Sequence, residues 1–453
     1  MVTGPVLLVI FSIAIIFVLV SIIKFRLNPF LALLLTALLT AFLTGMPIAK
    51  IPSVMAEGFG STLKGIGIVI GLGIILGHIL AEAGATEQIA NSLLRVVGVK
   101  NSPLAINITG FLVSIPVFFD AAFVILISLI KQISKKTETS LITFVTALAV
   151  GLIVTHAVVI PTPGPVTVAS NMGVNMGIFT LYAIIVSIPA SLVGGWLYGL
   201  YLGKKYPYVK EEVEQELAYQ DEGAVKNMKR PSGALSLFVL LLPIIMILLG
   251  TIMSIALPKD SAASAFFSFI GDKNIALLIG VFVGIFAMKP YLTEPLENII
   301  AKAAASAGMI LLITGAGGSL GNIINNSGIG KYIVDTLSNM HISVIFLAFI
   351  LSQVLRAAQG STTVALVTTS SILGPIVGQL GVSPVLVGLA ICSGGIGLSL
   401  PNDSGFWVVN RFSNFDVKKT MQSWTIGGTI AGIVGFIMVL LLSLLSGVLP
   451  GLS

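Results

Sequence analysis

Three charged side chains lie inside long apolar runs of this chain, each of them beside a break in its run. They are Asp120, Arg356 and Asp403. A charge at bilayer depth is costly, so each is a candidate functional residue by default. An acid can change its charge and arginine cannot, so together these groups could manage a proton and an organic anion.

Asp120 follows the aromatic pair Phe118-Phe119. Apolar surroundings favour the neutral form of a carboxylic acid. A carboxyl whose protonation changes with its surroundings can carry a coupling proton, and this is the role that we predict for Asp120. The alternative is a cap that accepts hydrogen bonds from backbone N–H groups where the chain turns.

Arg356 offers a rigid fork of N–H donors that matches a carboxylate. The hydroxyl groups that follow it could donate to the oxygens of a sugar acid or a hydroxy acid. The predicted substrate-binding residues at this break are Arg356, Gln359, Gly360, Ser361, Thr362 and Thr363. The alternative is a structural ion pair between Arg356 and either Asp120 or Asp403.

A second group of polar residues follows Pro401, where another apolar run is cut. We predict that Asn402, Asp403 and Ser404 bind substrate. Asp403 is also a second candidate for the coupling proton, because its carboxyl can be protonated.

A matching break lies at Pro161 in the first half of the chain. A helix that begins there would direct its N-terminus at an anion, so we predict that Thr162 and Gly164 bind substrate. His156 lies just before this break. It is either a further group for proton coupling or a buried structural donor.

The composition indicates that membrane-embedded elements position these residues. Of 453 residues, 56% are apolar and only 9% are charged, and the mean hydropathy is +1.06. Soluble domains carry about 25% charged residues. The fold class that we predict is therefore an all-α polytopic membrane protein.

Apolar stretches of about 20 residues predict membrane-spanning helices. They fall at 5–23, 28–45, 65–83, 139–165, 178–203, 233–257, 274–288, 305–326, 384–402 and 420–447. Two further apolar stretches, 103–131 and 342–376, are interrupted midway by kinking or polar residues. Each predicts a re-entrant hairpin; the alternative is one long tilted helix.

The order of these elements repeats, with five crossings and one hairpin in each half. Residues 77–84 resemble residues 321–328, and the two breaks correspond. An odd number of crossings predicts an inverted repeat with both broken helices at the midplane. The halves are 1–203 and 233–453, joined by a polar cytoplasmic linker, 204–232. Lysine and arginine gather in the loops that are inside when both termini are outside.

Several classes of protein are excluded by what the sequence lacks. The single Cys392 cannot form a disulfide within the chain, and the three histidines are scattered without metal-ligand spacing. There is no phosphate-binding lysine loop. The net charge of +6 lies in short loops, which does not suggest nucleic-acid binding. We predict no metal, no cofactor and no enzymatic activity.

The motifs at these breaks resemble those of the gluconate permease (GntP) family. They are Phe118-Phe119-Asp120, Thr155-His156, 161–165, 356–363 and 402–407. The resemblance covers nearly the whole chain. It implies the broader ion-transporter superfamily, with scaffold and transport domains, a homodimer and an elevator-like motion. Family members carry gluconate, related sugar acids, glycerate-like hydroxy acids or D-serine with protons.

Two departures from the family pattern concern the site. The first hairpin of relatives can carry Glu where this chain has Asp120, and some relatives have His in place of Thr162. The leading hypothesis is a proton-coupled symporter of gluconate or a related small hydroxy-carboxylate in the plasma (inner) membrane. The alternatives are a D-serine/H⁺ symporter and a cation/proton antiporter, against which the fixed charge of Arg356 argues.

Overall fold

The computed structural model consists of helices joined by short connections. It describes residues 2–98, 101–208, 229–258, 261–329, 332, 343–378, 381–401 and 403–452. Within them all regular secondary structure is helical. Seven of the described helices are long and apolar enough to cross a membrane.

The first half of the chain contains nine helices among its described residues. They are α1 (Val6–Ile23), α2 (Pro29–Leu43), α3 (Ile51–Glu82), α4 (Ala85–Val97), α5 (Ser102–Val113), α6 (Phe119–Thr137), α7 (Leu141–Val158), α8 (Pro163–Asn171) and α9 (Met176–Lys205). A π turn, Leu192–Leu197, lies within α9.

The second half repeats much of this order. Its described helices are α10 (Gly233–Ala256), α11 (Ala262–Ile270), α12 (Lys273–Met288), α13 (Leu296–Asn326), α14 (Val344–Gln359), α15 (Thr362–Val377), α16 (Pro384–Gly394), α17 (Ser404–Phe412) and α18 (Val417–Leu444). A π turn, Met421–Ile426, lies within α18.

The spacing of the repeat is regular from α3 onward. Helices α3, α6 and α7 begin at residues 51, 119 and 141, and α13, α15 and α16 begin at 296, 362 and 384. The resembling segments 77–84 and 321–328 contain the ends of α3 and α13, at Glu82 and Asn326. The starts of these three helix pairs are therefore separated by 243 to 245 residues.

Both predicted hairpins consist of two helices rather than one. Helices α5 and α6 are separated at 114–118, and α14 and α15 are separated at Gly360 and Ser361. The arms α14 and α15 are each 16 residues long. At 1.5 Å per residue this is about 24 Å, which is short of the hydrocarbon thickness of about 30 Å.

Some predicted boundaries were wrong. Helices α3 and α13 begin well before the predicted 65 and 305, because their N-terminal turns contain polar residues that lower the local hydropathy. Helix α16 ends at Gly394, short of the predicted 402, and a long unwound segment follows. The short helices α4 and α11 fall outside every predicted span.

Helix α7 lies at the centre of the molecule. Every residue from Leu141 to Val158 is buried, and the helix contacts α5, α6, α9 and α18. Large apolar side chains such as Phe282 and Phe286 are instead exposed on outer helices, at 54% and 74%. Apolar surface on the outside suits contact with lipid tails.

Helices α3 and α13 cross at backbone distance. A Cβ atom on Gly58 would lie 2.4 Å from the carbonyl oxygen of Gly318, so neither position has room for a side chain. Further along α3, a Cβ atom on Gly77 would lie 2.0 Å from the carbonyl oxygen of Pro116 in the 114–118 turn. The first hairpin therefore packs directly on the backbone of α3.

Candidate functional site

The turns of both hairpins and the second break meet around one cavity of about 190 Å³. Its lining combines charged, hydroxyl-bearing and aromatic side chains. They are Phe118, Phe119, Asp120, Ile153, His156, Arg356, Gly360, Ser361, Thr362, Thr363, Asp403, Ser404, Gly405 and Trp424. The structure thus brings together most of the residues that the sequence analysis selected, although they are far apart in the chain.

The second hairpin turns within two residues. Gly360 has a φ of 67°, a left-handed conformation that glycine adopts without steric cost, and its N–H donates to the carbonyl of Arg356 at 3.0 Å. The Ser361 hydroxyl then accepts from the N–H of Val364 at 3.4 Å and caps α15. This tight turn places Arg356 and Thr362 on the same cavity.

Arg356 and Asp403 form a buried ion pair, with 2.6 Å between Nη2 and Oδ2. The two residues are 1% and 6% exposed. Asp403 also accepts from the Ser399 hydroxyl, and its other oxygen accepts from the N–H of Gly405 at 3.0 Å. The ion pair that the sequence analysis offered as an alternative for Arg356 is therefore present, with Asp403 rather than Asp120.

The ion pair uses only part of the arginine. Arg356 Nε and Nη1 are buried and have no hydrogen-bond partner among the described residues. The hydroxyl of Thr362 and the Nδ1 atom of His156, on the same cavity, are also buried without a partner. Buried polar groups are normally satisfied, so a cluster of unsatisfied ones lining a cavity indicates room for a polar ligand.

Three helix N-termini line the same cavity. They belong to α6, α15 and α17, which begin at Phe119, Thr362 and Ser404. Unpaired N–H groups and the helix dipole make each N-terminus favourable for negative charge. Together with Arg356 they give one wall of the cavity the electrostatic character of an anion site.

Asp120 faces this cavity from the first turn of α6. It is exposed, and neither it nor the N-cap residue Phe118 makes a side-chain capping hydrogen bond in α6. The capping role that the sequence analysis considered for Asp120 is therefore absent from the described contacts. Its carboxylate lines the cavity together with Arg356 and Asp403.

Aromatic side chains fix the turn of the first hairpin against two other helices. The ring of Phe118 lies 6.0 Å from the ring of His156 on α7. The ring of Phe119 lies 4.5 Å from that of Trp424 on α18. Trp424 is 2% exposed and was not selected from the sequence. A tryptophan in an apolar helix gives no signal that distinguishes a site residue from a core residue.

Two predicted residues of the first break do not line this cavity. Thr162 lines a separate, much smaller cavity of about 10 Å³ that shares Phe118 and His156 with the large one, and its hydroxyl donates to the carbonyl of Val159 at 2.5 Å. Gly164 packs against Leu366, whose Cδ1 would lie 2.7 Å from a Cβ atom on that glycine. The N-terminus of α8 therefore does not line the cavity that contains the arginine.

Two other predicted residues lie wholly or partly outside the described residues. They are Asn402 and the side chain of Gln359. Across the described part of the chain, no three His, Cys, Asp or Glu side chains are placed to hold a metal ion. The large cavity itself offers two carboxyl groups, a guanidinium and hydroxyl groups.

Comparison with known protein sequences matches this chain to permeases. A model of the GntP family of permeases matches residues 6–445. An uncharacterized permease of Haemophilus influenzae is 38% identical over 447 residues, which cover 95% of this chain and 91% of that protein. A gluconate permease of Pseudomonas aeruginosa is 33% identical over 437 residues, covering 95% and 96%.

A solved structure supports the fold. The YdaH transporter of Alcanivorax borkumensis superposes with a TM-score of 0.69, covering 94% of this chain and all of that one. The sequence identity is 15%, so this likeness concerns the fold alone.

Proposed function

Because the chain belongs to the GntP family of permeases, we propose that it is a proton-coupled symporter of gluconate or a related small hydroxy-carboxylate. It is an integral membrane protein of a transport family and not an enzyme. The observation that carries the proposal is that Arg356, with Nε and Nη1 unpaired among the described residues, lines one cavity together with three helix N-termini.

The substrate carboxylate would accept a hydrogen bond from an N–H of Arg356 that Asp403 leaves unpaired, on Nη1 or Nε. Each hydrogen bond to a charged donor contributes about 1.5–3 kcal/mol, and the other unpaired N–H is left for a second oxygen of the substrate. Asp403 already holds Nη2, which fixes the orientation of the guanidinium. Asp403 thus supports the arginine, and its oxygens are already engaged with protein donors.

Hydroxyl groups of the substrate would form hydrogen bonds with side chains of the second hairpin. Thr362 has a buried hydroxyl without a partner, and Ser361 and Thr363 lie beside it on the cavity. A hydroxyl can both donate and accept, which suits the polyol chain of a sugar acid. Asn402 and Ser404 remain proposed contacts at the second break.

The coupling proton would be carried by Asp120. Its carboxylate faces the cavity without a hydrogen-bond partner among the described residues, so protonation breaks no described contact. Arg356 and Asp403 offset each other's charge. One proton on Asp120 for each bound monoanion then leaves the formal charge of the cavity unchanged, which favours electroneutral symport. His156 remains a candidate for passing the proton.

We extend the proposal to the architecture of transport. The halves 1–203 and 233–453 would form an inverted repeat joined by a cytoplasmic linker, 204–232. The hairpins and broken helices would move as a transport domain against a scaffold in an elevator-type motion. The protein would be a homodimer in the inner membrane, with both termini outside. The repeated helix order supports the repeat, and the positive-inside rule supports the topology.

One alternative substrate has an observation in its favour. An amino acid such as D-serine would place its carboxylate at Arg356 and its ammonium group at Asp120, which has no hydrogen-bond partner among the described residues. An acid paired with ammonium would no longer be free to take the coupling proton. A cation/proton antiporter is disfavoured, because Arg356 places a fixed positive charge in the cavity.

Uptake by proteoliposomes tests the proposal. We expect labelled gluconate to accumulate under an inward proton gradient, to stop accumulating after addition of a protonophore, and to respond little to a potassium diffusion potential. Competition by unlabelled glycerate and D-serine ranks the substrates. Absence of uptake for every hydroxy acid tested, or uptake indifferent to the proton gradient, would refute the proposed function.

A further inference from the structure

The unwound segment between α16 and α17 is held by hydrogen bonds from α18. Leu398 has a φ of 48°, which is strained for a leucine, and its N–H donates to the Thr429 hydroxyl at 3.0 Å. Thr425 donates to the carbonyl of Ser399. The indole N–H of Trp424 donates to the hydroxyl of Ser399 at 2.5 Å. This segment therefore depends on α18 for its shape.

The π turn of α18 makes this arrangement possible. Trp424 and Thr425 are neighbours within Met421–Ile426, and both donate to the same residue, Ser399. In an α-helix, adjacent side chains point about 100° apart, whereas a π turn widens the helix locally. Such single π turns occur frequently at functional sites.

The hydrogen bonds continue from Trp424 to the arginine. A serine hydroxyl has one hydrogen; since Trp424 donates to Ser399, the hydrogen of Ser399 is free to point to Asp403, to which it donates. The same Asp403 oxygen accepts from Arg356 at 2.6 Å. All four residues are at most 6% exposed. Trp424 therefore orients the hydroxyl of Ser399. That hydroxyl orients the carboxylate of Asp403, which in turn orients the guanidinium of Arg356.

We propose that Trp424 and Ser399 are positioning residues for Arg356. They do not bind the carboxylate through their hydrogen-bonding groups; they hold Asp403, and through it the guanidinium, in the orientation that presents Nε and Nη1 to the cavity. The inference rests on the proposed function for its ligand. Trp424 also contacts Phe119, so it joins the anion-binding wall to the hairpin that carries Asp120.

Binding of labelled gluconate to the purified protein tests the positioning. Trp424→Phe keeps a ring against Phe119 but loses the indole N–H, and Ser399→Ala loses the hydroxyl. We expect each to raise the Kd about fivefold or more, the size expected for one hydrogen bond to the network. The matched control is Trp196→Phe, which changes a tryptophan in the π turn of α9 that has no described hydrogen bond.

The double variant distinguishes positioning from general loosening of the fold. Since both residues act through one path, Trp424→Phe combined with Ser399→Ala should bind no worse than Ser399→Ala alone. Ser399→Thr, which restores the hydroxyl, should recover most of the affinity. Additive effects, or a Kd for Trp424→Phe equal to that of Trp196→Phe, would overturn the inference.

A measurement without substrate separates this inference from the proposed function. The rate at which methylglyoxal modifies Arg356, followed by mass spectrometry of its peptide, reports how firmly the guanidinium is held. We expect faster modification in Trp424→Phe and Ser399→Ala than in the wild type or Trp196→Phe. If the wild type binds no hydroxy acid, the proposed function fails, but the modification rate still tests the positioning role. Equal modification rates in all four proteins would overturn that role.

Discussion

The two hairpins present opposite chemistry on the same cavity. The turn of the first hairpin, 114–118, leads into α6 with Asp120 exposed and without a described partner. The second hairpin turns at Gly360 and Ser361, and its Arg356 is buried and paired with Asp403. A carboxyl without partners can change its charge, whereas a paired guanidinium keeps its own. The first hairpin thus carries the group that can change its charge, and the second carries the fixed charge.

The two breaks differ in how their polar groups are satisfied. The first spans 159–162 and largely satisfies itself, since Thr162 donates to Val159 and Val159 donates to Thr155 at 2.9 Å. The second, whose described residues are 395–401 and 403, takes hydrogen bonds from α17 and α18. The residues predicted to bind substrate at the first break, Thr162 and Gly164, do not line the large cavity. The dependent break supplies Asp403 to it.

Replacing Arg356 by lysine should weaken substrate binding more than any other change considered for the two hairpins. Lysine keeps the positive charge beside Asp403 but lacks the guanidinium, so the Nε and Nη1 donors to the substrate are both lost. We expect a loss of about 3 kcal/mol in binding, or more than about 100-fold in Kd. Direct binding of labelled gluconate measures it. Arg411→Lys, at an exposed arginine of α17, is the control. A Kd within about twofold of wild type would remove Arg356 from the site.

Replacing Asp120 by asparagine should affect coupling rather than affinity. The amide cannot take a proton, so uptake should no longer exceed equilibrium under a proton gradient, while exchange of gluconate across the membrane continues. Proteoliposome uptake and counterflow measure the two activities. In the wild type, uptake should rise as the external pH falls, because more carboxyl is protonated.

The matched control for this change is Asp120→Glu, which restores a carboxyl on a longer side chain. It should retain accumulation. If Asp120→Asn still accumulates gluconate against its gradient, the proton is carried elsewhere, and His156 becomes the next candidate.

The smallest expected effect is a change in KM on replacing one of two threonines. Thr362 lies beside the turn of the second hairpin, and Thr162 lies in the first break. Thr362→Val removes a buried hydroxyl that faces the cavity and should raise the KM for gluconate about fivefold, because one hydrogen bond of about 1 kcal/mol is lost. Thr162→Val removes a hydroxyl that bonds within its own break and should leave the KM unchanged. Initial uptake rates over a range of concentrations test both. Equal KM changes would contradict the assigned orientations.

Much of the site could be predicted because polar residues inside apolar runs have few structural explanations. Asp120, Arg356 and Asp403 stood out for this reason, and all three line one cavity. The orientation of Thr162 could not be predicted, since it depends on which carbonyl its hydroxyl reaches. The pairing of Arg356 with Asp403 was one of two choices, because the sequence does not give distances between separate hairpins.

The fold was predicted best where hydropathy alone determines where a helix is interrupted. Both hairpins and both breaks fall where proline, glycine or polar residues interrupt apolar runs. The extra turns of α3 and α13 and the amphipathic α4 could not be predicted by counting apolar residues, since packing on neighbours stabilises them. The role of Trp424 depends on a π turn, which has no sequence signature of its own.

The crossing of α3 and α13 has a consequence for how motion in this protein could be followed. With no side chain between Gly58 and Gly318, these helices cannot slide past each other without a backbone collision. They therefore provide a fixed frame of reference. A spectroscopic label at Ile68, which is 60% exposed on α3, would report displacement of a second label on α18 as a change in distance.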